Sequence, residues 1–169
     1  MGAHGFNVAE EGAVVPLYTP IDIDTLAAAK SPVIVLMKNW VHASIIYSIG
    51  QLPRVAGVIT IESCLDVTPS VATAIMFPYY RYETSSKLAN GDVHGALTWT
   101  TTAAAGLIPV ATAAECIYVI ELDADMLVKN HIGFRLCIAD PAAASVGSAI
   151  AVLSGARFAD KGTTNMAVV

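Results

Sequence analysis

Charged side chains are scarce in this sequence. Of 169 residues, 9 are Lys or Arg and 14 are Asp or Glu, so only 14% carry a charge, against roughly 25% in an ordinary soluble domain. Small and apolar residues dominate instead, and the hydrophobic fraction is 55%. A chain this poor in charge either enters a membrane or covers much of its surface with other protein.

A long apolar run is also missing. The longest stretch without acidic or basic side chains lies between Asp92 and Glu115, and it is interrupted by His94, Pro109 and several threonines. A spanning helix needs about 20 predominantly apolar residues. The opening "MGAHGFNVAEEG" has no basic start and no apolar run, and Phe6 stands where myristoylation needs Ser or Thr. We therefore expect a soluble protein made in a cytoplasm, without a membrane partner.

Basic patches and paired cysteines are absent as well. A net charge of −5 argues against a nucleic-acid partner, which selects for Lys and Arg. The cysteines, Cys64, Cys116 and Cys137, are widely spaced and form no CxxC pair. Neither a zinc site nor a disulfide framework is indicated, so we predict buried thiols and no cofactor.

What the sequence does contain is alternation with a period of two, which is typical of half-buried strands. In "WVHASIIYSI" the odd-numbered positions from Val41 to Ile49 are predicted to fill a core. The same alternation marks "VAGVITIES", "CIYVIEL" and "GFRLCIA". Further strand candidates are "VVPLY", "PVIVLM", "AIMFPYYRYE", "ALTWTTT" and "SAIAVLSGARF".

Turn signals separate these segments. "GQLPR", "ANGD" and "ADPAAAS" lie between strand candidates, and Pro78 inside "AIMFPYY" indicates an edge strand or a bulge. Helix is predicted only in short pieces, "IDTLAAAK" and "PSVATAI". About eight to ten short strands predict an all-β single domain, a β-sandwich or jelly roll, with a small barrel as the remaining option. Residues 1–12 are predicted as an extended arm, 13–160 as the domain and 161–169 as a tail.

The segment "ELDADMLVKNHIGFRL" concentrates polar side chains. It holds Asp123, Asp125, Asn130 and His131, which raises the question of a metal loop. An EF-hand loop counted from Asp123 needs Asp or Asn at its fifth position and Gly at its sixth, but Leu and Val stand there. The alternation that ends at Asp123 and resumes at Phe134 indicates a polar connection between two strands, and we predict no metal.

Catalytic motifs are missing from the sequence. It lacks the nucleophile elbow G-x-S-x-G, the P-loop and the dinucleotide fingerprint. His42, between Trp40 and Ser44, has the chemistry of a general base, but no second catalytic group lies near it in sequence. We predict a solvated or interface histidine at this position, no catalytic residue and no enzyme activity.

One aromatic cluster has the composition of an interface. Tyr79, Tyr80, Arg81 and Tyr82 follow one another in "MFPYYRYE", and Tyr and Arg are enriched at binding hot spots. The alternative is an amphipathic edge strand with ordinary cross-strand aromatics. We predict these four residues, together with Phe6 of the arm, as candidate interface residues. A Tyr-rich surface of this kind also has the chemistry to bind carbohydrate.

Several longer segments follow one another in a distinctive order: "GFNVAEEGAVVPLYTPIDI", "KNWVHASIIYSIG", "GVITIESCLDVTPSVATAIMFPYYRYE", "YVIELDADML", "GFRLCIADP" and "SAIAVLSGARF". Their order resembles that of small structural proteins encoded among the virion genes of tailed bacteriophages. It implies a structural virion protein that decorates or cements the head. Its expected partners are the major capsid protein and copies of itself, often as a trimer. A tail or neck component and a carbohydrate-binding β-sandwich for host attachment are the alternatives. The resemblance assigns a role to no individual residue.

Overall fold

The computed structural model describes residues 8–22, 33–50, 57–68, 70–83, 95–109, 116–140 and 146–156. Within these ranges the regular structure is ten β-strands, one helical turn (α1) and a 3-10 turn at Ala124–Met126. The bounds are α1 Val8–Glu11, β1 Ala13–Asp22, β2 Ile34–Leu36, β3 Trp40–Ile49, β4 Ile59–Cys64, β5 Ala72–Ile75, β6 Pro78–Glu83, β7 Thr98–Trp99, β8 Cys116–Asp123, β9 Gly133–Ile138 and β10 Val146–Ala156.

The strands form two antiparallel sheets. The six-stranded sheet has the order β1-β10-β3-β8-β6-β7, and the four-stranded sheet has the order β2-β9-β4-β5. One hydrophobic core draws buried side chains from both sheets, which is the arrangement of a β-sandwich. The predicted all-β sandwich is therefore confirmed. In the six-stranded sheet β10 lies between β1 and β3, and the start of β1 is paired with the end of β10.

The core follows from the period-two pattern of the sequence. On β8 the side chains of Cys116, Tyr118, Ile120 and Leu122 are buried, whereas those between them are half-buried. The same inward phase is found for residues 43, 45, 47 and 49 of β3 and for Phe134 and Leu136 of β9. Full burial of each large side chain contributes about 1.5–3 kcal/mol, so the alternation supplies most of the stabilisation of the fold.

The predicted core position of Val41 is wrong. Its side chain is 47% exposed, while the neighbouring Trp40 is only 5% exposed and packs on the core. The alternation changes phase at the beginning of β3, where the facing strand carries Gly155 with a φ of +65°. This conformation is open mainly to glycine, and a Cβ added to Gly155 would lie 3.1 Å from the Cβ of Val41. Trp40 closes that end of the core instead of Val41.

The segment "AIMFPYYRYE" is divided between the two sheets and does not form one strand. β5 belongs to the four-stranded sheet and β6 to the six-stranded sheet. Pro78 has no N–H and occupies the first position of β6, where a strand tolerates it. The fully buried Phe77 lies at the crossing, and its N–H donates to Thr100 Oγ1 at 3.2 Å. The helix predicted over "PSVATAI" is also wrong, because Ala72–Ile75 pairs with β4 as a strand.

Several predicted segments lie outside the described residues. These are the helix "IDTLAAAK", the hairpin "ANGD", most of the turns "GQLPR" and "ADPAAAS", the tail 161–169, and the first part of the arm with Phe6. The described part of the arm is not extended: Val8–Glu11 forms one helical turn that contacts β10. The cysteines are thiols, buried at Cys64 and Cys116 and half-buried at Cys137.

Candidate functional site

The outer face of the six-stranded sheet carries a row of apolar side chains. Pro16 of β1 is paired with Ile150 of β10, and Ile150 with Ile46 of β3. Ile46 is paired with Val119 of β8, and Val119 with Tyr80 of β6. Because neighbouring strands are about 4.8 Å apart, this outer row spans about 19 Å across five strands.

Apolar neighbours widen the outer row on both sides. Val14 and Val152, paired with each other, flank it on one side, and Ile117 and Tyr82 flank it on the other. Val14 is 54% exposed and Ile150 is 37% exposed, while Ile117 and Tyr82 are half-buried. Where one face of an antiparallel sheet is exposed to solvent, the residues that point to that face are normally polar. An apolar face of this extent is typical of a surface that contacts another molecule.

A polar cluster borders the outer row on β3 and β8. His42 Nδ1 lies 2.7 Å from Asp123 Oδ1, and His42 Nε2 lies 2.8 Å from Glu121 Oε2. Ser44 Oγ donates to the same Glu121 oxygen at 2.7 Å and lies 3.2 Å from His42 Nε2. We call these four residues the His42 cluster.

Cross-strand register creates this cluster. His42 is paired with Asp123 and Ser44 with Glu121, and alternation turns all four side chains to the outer face. The partners are 81 and 77 residues apart in the chain, so local sequence analysis missed the association. The available signal was that both strands carry polar residues at alternate positions on their outward phase. Pairing β3 with β8 in this register would have brought them together.

The two carboxylates favour a protonated His42. Burial of the ring lowers its pKa, but the hydrogen bonds and negative charges of Asp123 and Glu121 raise it by more. The pKa of His42 is therefore above its ordinary value of 6.5. The imidazolium is held by a charge-assisted hydrogen bond at each nitrogen.

His42 lies between Ser44 and Asp123 in space, as the histidine of a serine-hydrolase triad lies between its serine and its aspartate. Glu121 changes the chemistry of this arrangement because it also binds the histidine. A general base needs a free lone pair on the nitrogen that faces the nucleophile. Here Glu121 takes the Nε2–H of His42 and also accepts the hydroxyl proton of Ser44. The geometry stabilises a protonated, partly buried imidazole ring at His42. Its Nε2 then has no lone pair with which to activate Ser44.

The polar side chains at the end of β8 and in the segment that follows it do not come together at one site. Asp123 ends the strand, the exposed Asp125 lies in the 3-10 turn, and Asn130 occupies a turn with a φ of +72°. His131 Nδ1 lies 2.8 Å from Ser63 Oγ. The predicted strand–connection–strand arrangement is confirmed. In the part of the chain that the structure describes, no group of three or more His, Cys, Asp or Glu residues could hold a metal ion.

The predicted aromatic interface is divided by the pleat of β6. Tyr80 and Tyr82 point to the outer face, where they continue the apolar surface. Tyr79 points inward, and its ring centroid lies 6.3 Å from that of Tyr118 in a tilted arrangement. Arg81 lines a small cavity of about 230 Å³ on the same inner side. Of these four interface candidates, the geometry places Tyr80 and Tyr82 on the candidate surface.

A second apolar surface lies where the two sheets meet at β5 and β7. Trp99 is 53% exposed and Met76 is 49% exposed, and both line an open groove of about 520 Å³. Met126 and the hydroxyl-bearing Thr101 and Thr102 complete this part of the lining. No local pattern in the sequence indicates this groove, because its residues come from segments that are distant in the chain.

No protein-family model, no curated protein and no solved structure matches this chain. Among the described residues, none of the helical segments has the length and apolar character required to cross a membrane. The outer row and the His42 cluster are therefore interpreted from their own geometry.

Proposed function

We propose that this protein is a structural component of a tailed-bacteriophage virion that decorates and cements the head. The segment order described above supports the proposal, and so does a β-sandwich of low charge. The observation that carries it is the outer row of Pro16, Ile150, Ile46, Val119 and Tyr80, which forms a continuous apolar band across five strands of one sheet face.

The energetics of cementing suit such a surface. A stable interface removes about 800 Å² per partner from water, and a row of about 19 Å with apolar flanks occupies the centre of a patch of that size. A protein that binds only the closed arrangement of a shell stabilises that arrangement by mass action. The contribution is repeated at every copy, so each contact can be modest. This function needs no active site, and we propose no enzymatic activity.

The proposed partners are the major capsid protein and further copies of this chain, in a trimer. Of the 169 residues only 14% are charged, which fits a domain that has protein neighbours on several sides. The proposed location is the assembled particle, with synthesis in the cytoplasm of a bacterial host.

Heat challenge of particles tests the proposal. Ile150→Glu places a charge in the outer row, and Val71→Glu is the matched control, since Val71 is similarly exposed but precedes β5 in the other sheet. Particles carrying Ile150→Glu are expected to release their DNA at a lower temperature, and particles carrying Val71→Glu at the wild-type temperature. Particles without the protein that resist heat as well as wild type would refute cementing. Gold-labelled protein found on tails would favour the tail or neck alternative.

A carbohydrate-binding function is the second candidate, and the Trp99 groove favours it. An exposed indole next to the hydroxyls of Thr101 and Thr102 offers a stacking surface with nearby hydrogen-bonding groups. Glycan-array binding that is lost in Trp99→Ala, with retained heat protection of particles, would assign this function to the groove. A protein that binds none of the glycans on the array would rule out the carbohydrate-binding function.

A further inference from the structure

The His42 cluster is fully hydrogen-bonded only while the imidazole carries two protons. The protonated ring donates from Nδ1 to Asp123 and from Nε2 to Glu121, and Ser44 donates to Glu121. Three donors meet two carboxylates, and the net charge of the cluster is −1. Glu121 is only 29% exposed, so these donors replace much of the water that an isolated carboxylate would bind.

Loss of one proton leaves this arrangement without a full set of donors. A neutral imidazole donates from one nitrogen only. If Nδ1 keeps the proton, the lone pair on Nε2 faces Glu121 Oε2 at 2.8 Å, and two acceptors repel at that distance. If Nε2 keeps it, Asp123 loses its ring donor. In either tautomer one carboxylate loses its hydrogen bond from the ring, and the net charge of the cluster changes from −1 to −2.

The charge change falls at the border of the outer row. The pair Ser44–Glu121 lies next to the pair Ile46–Val119 along the same two strands. A partner that covers the outer row must also remove water from the edge of the cluster. Removing water from a carboxylate that has lost its donor opposes docking, whereas in the protonated cluster the donors have already replaced much of that water.

The other groups packed around His42 do not alter this balance among the described residues. On β10 the residue opposite His42 is Ser154, which does not titrate near neutral pH. The 3-10 turn after β8 carries Asp125, whose side chain is exposed. The carboxylates that bond the ring are Glu121 and Asp123 from β8, and they set its protonation.

On the basis of the function proposed above, we propose that the His42 cluster is a proton-operated switch on the docking face. The protonated cluster permits the outer row to dock on the major capsid protein of the particle, and deprotonation weakens this docking. The carboxylates of Asp123 and Glu121 raise the pKa of His42 above its ordinary value of 6.5, so the change falls above pH 6.5. Because one proton is linked to docking, affinity is expected to fall by up to about tenfold per pH unit above that pKa.

Attachment to particles that lack the protein, measured between about pH 6 and pH 8.5, tests the switch. Wild type is expected to attach tightly at the acidic end and more weakly at the alkaline end. His42→Gln, which cannot be protonated, is expected to attach weakly across the range. Glu121→Gln removes one carboxylate and is expected to attach at the alkaline end as wild type does at the acidic end. Asp125→Asn removes an exposed carboxylate beside the cluster and is the matched control, with the pH dependence of wild type.

The outcomes separate the switch from the proposed function. Wild-type protein that attaches at no pH contradicts the proposed function itself. Attachment that is tight and equal at both ends contradicts the switch and leaves cementing intact. A pH dependence that survives in Glu121→Gln would also overturn it, as would an NMR titration that places the pKa of His42 in the free protein at or below 6.5.

Discussion

Ser63 and His131 are joined by a hydrogen bond of 2.8 Å between the serine Oγ and the histidine Nδ1, across 68 residues of sequence. The same oxygen accepts the N–H of Val128 at 3.2 Å, and Ser63 itself is fully buried. One hydroxyl on β4 therefore satisfies two groups of the connection between β8 and β9. The connection is fixed to the four-stranded sheet by this contact.

We expect Ser63→Ala to lower the free energy of unfolding by about 1–3 kcal/mol, because it removes two part-buried hydrogen bonds that each contribute about 0.5–1.5 kcal/mol. Chemical denaturation with urea measures the change. Ser48→Ala, a half-buried serine on the outer face of β3, is the control and is expected to stay within about 0.5 kcal/mol of wild type. Equal effects of the two substitutions would show that the Ser63 hydroxyl has no special structural role.

The raised pKa of His42 predicts a pH dependence of stability. The folded protein holds the His42 proton more tightly than the unfolded chain, whose value is the ordinary 6.5. The stabilisation is fully present below pH 6.5 and is lost as the pH rises through the folded-state pKa. Urea denaturation measured at intervals up to about pH 8, below the range in which the thiols titrate, is expected to show falling stability.

His42→Gln provides the control for this prediction. The variant has no group at position 42 that titrates, so the decline above pH 6.5 is expected to be much smaller. A wild-type stability that stays constant or rises across the same window would contradict the assigned protonation of the ring. If the stability of His42→Gln falls as much as that of wild type, the pH dependence belongs to a group other than His42.

The two sides of β3 predict opposite responses to the same substitution. Ile45 is fully buried, so Ile45→Asp introduces an unpaired carboxylate into the core at a cost of several kcal/mol. That is comparable to the whole stability of a small domain, and we expect the protein to unfold. Val41 is 47% exposed, and Val41→Asp is expected to cost about 1 kcal/mol or less. Circular dichroism and thermal melts distinguish the two, and an unfolded Val41→Asp would restore its predicted core position.

The thiols are expected to react slowly in the native protein. Burial, followed by the charge of Glu62, raises the pKa of Cys137 to about 12, and burial raises that of Cys64. Cys116 is 3% exposed. Alkylation at about pH 8 needs the thiolate, so native protein is expected to show no rapid modification. All 3 cysteines should react in denaturant, and a rapidly modified thiol in the native state would contradict the described burial.

The sandwich was predictable because its signal is local. In β8 the buried and half-buried residues alternate as the sequence indicates, and β9 alternates in the same way from Phe134 to Cys137. A period of two reports which side chains share a face without any knowledge of the neighbouring strand. The predicted interface grouped Tyr79, Tyr80, Arg81 and Tyr82 without regard to this period, and the structure places only Tyr80 and Tyr82 of these on the outer face.

The candidate site was not predictable because it depends on which strands are neighbours. The alternation of β3 and β8 is compatible with many sheet orders, and only their antiparallel pairing brings His42 to Glu121 and Asp123. The phase change at Val41 likewise lies beside Gly155 of β10, which is distant in the sequence. Periodicity within a segment contains no information on register between distant segments.

The pairing of β1 with β10 sets how the domain responds to mechanical load. Ala13 is paired with Leu153, so the outer ends of both strands, Ala13 and Ala156, lie at the same end of the sheet. Opposite forces applied at these two points pull the hydrogen bonds apart one after another, as in peeling. A force normal to the sheet, applied through a partner on the outer row, is instead distributed over the five strands that carry the row. We therefore expect the sheet to open more readily when it is pulled at these two strand ends than when it is loaded through its face.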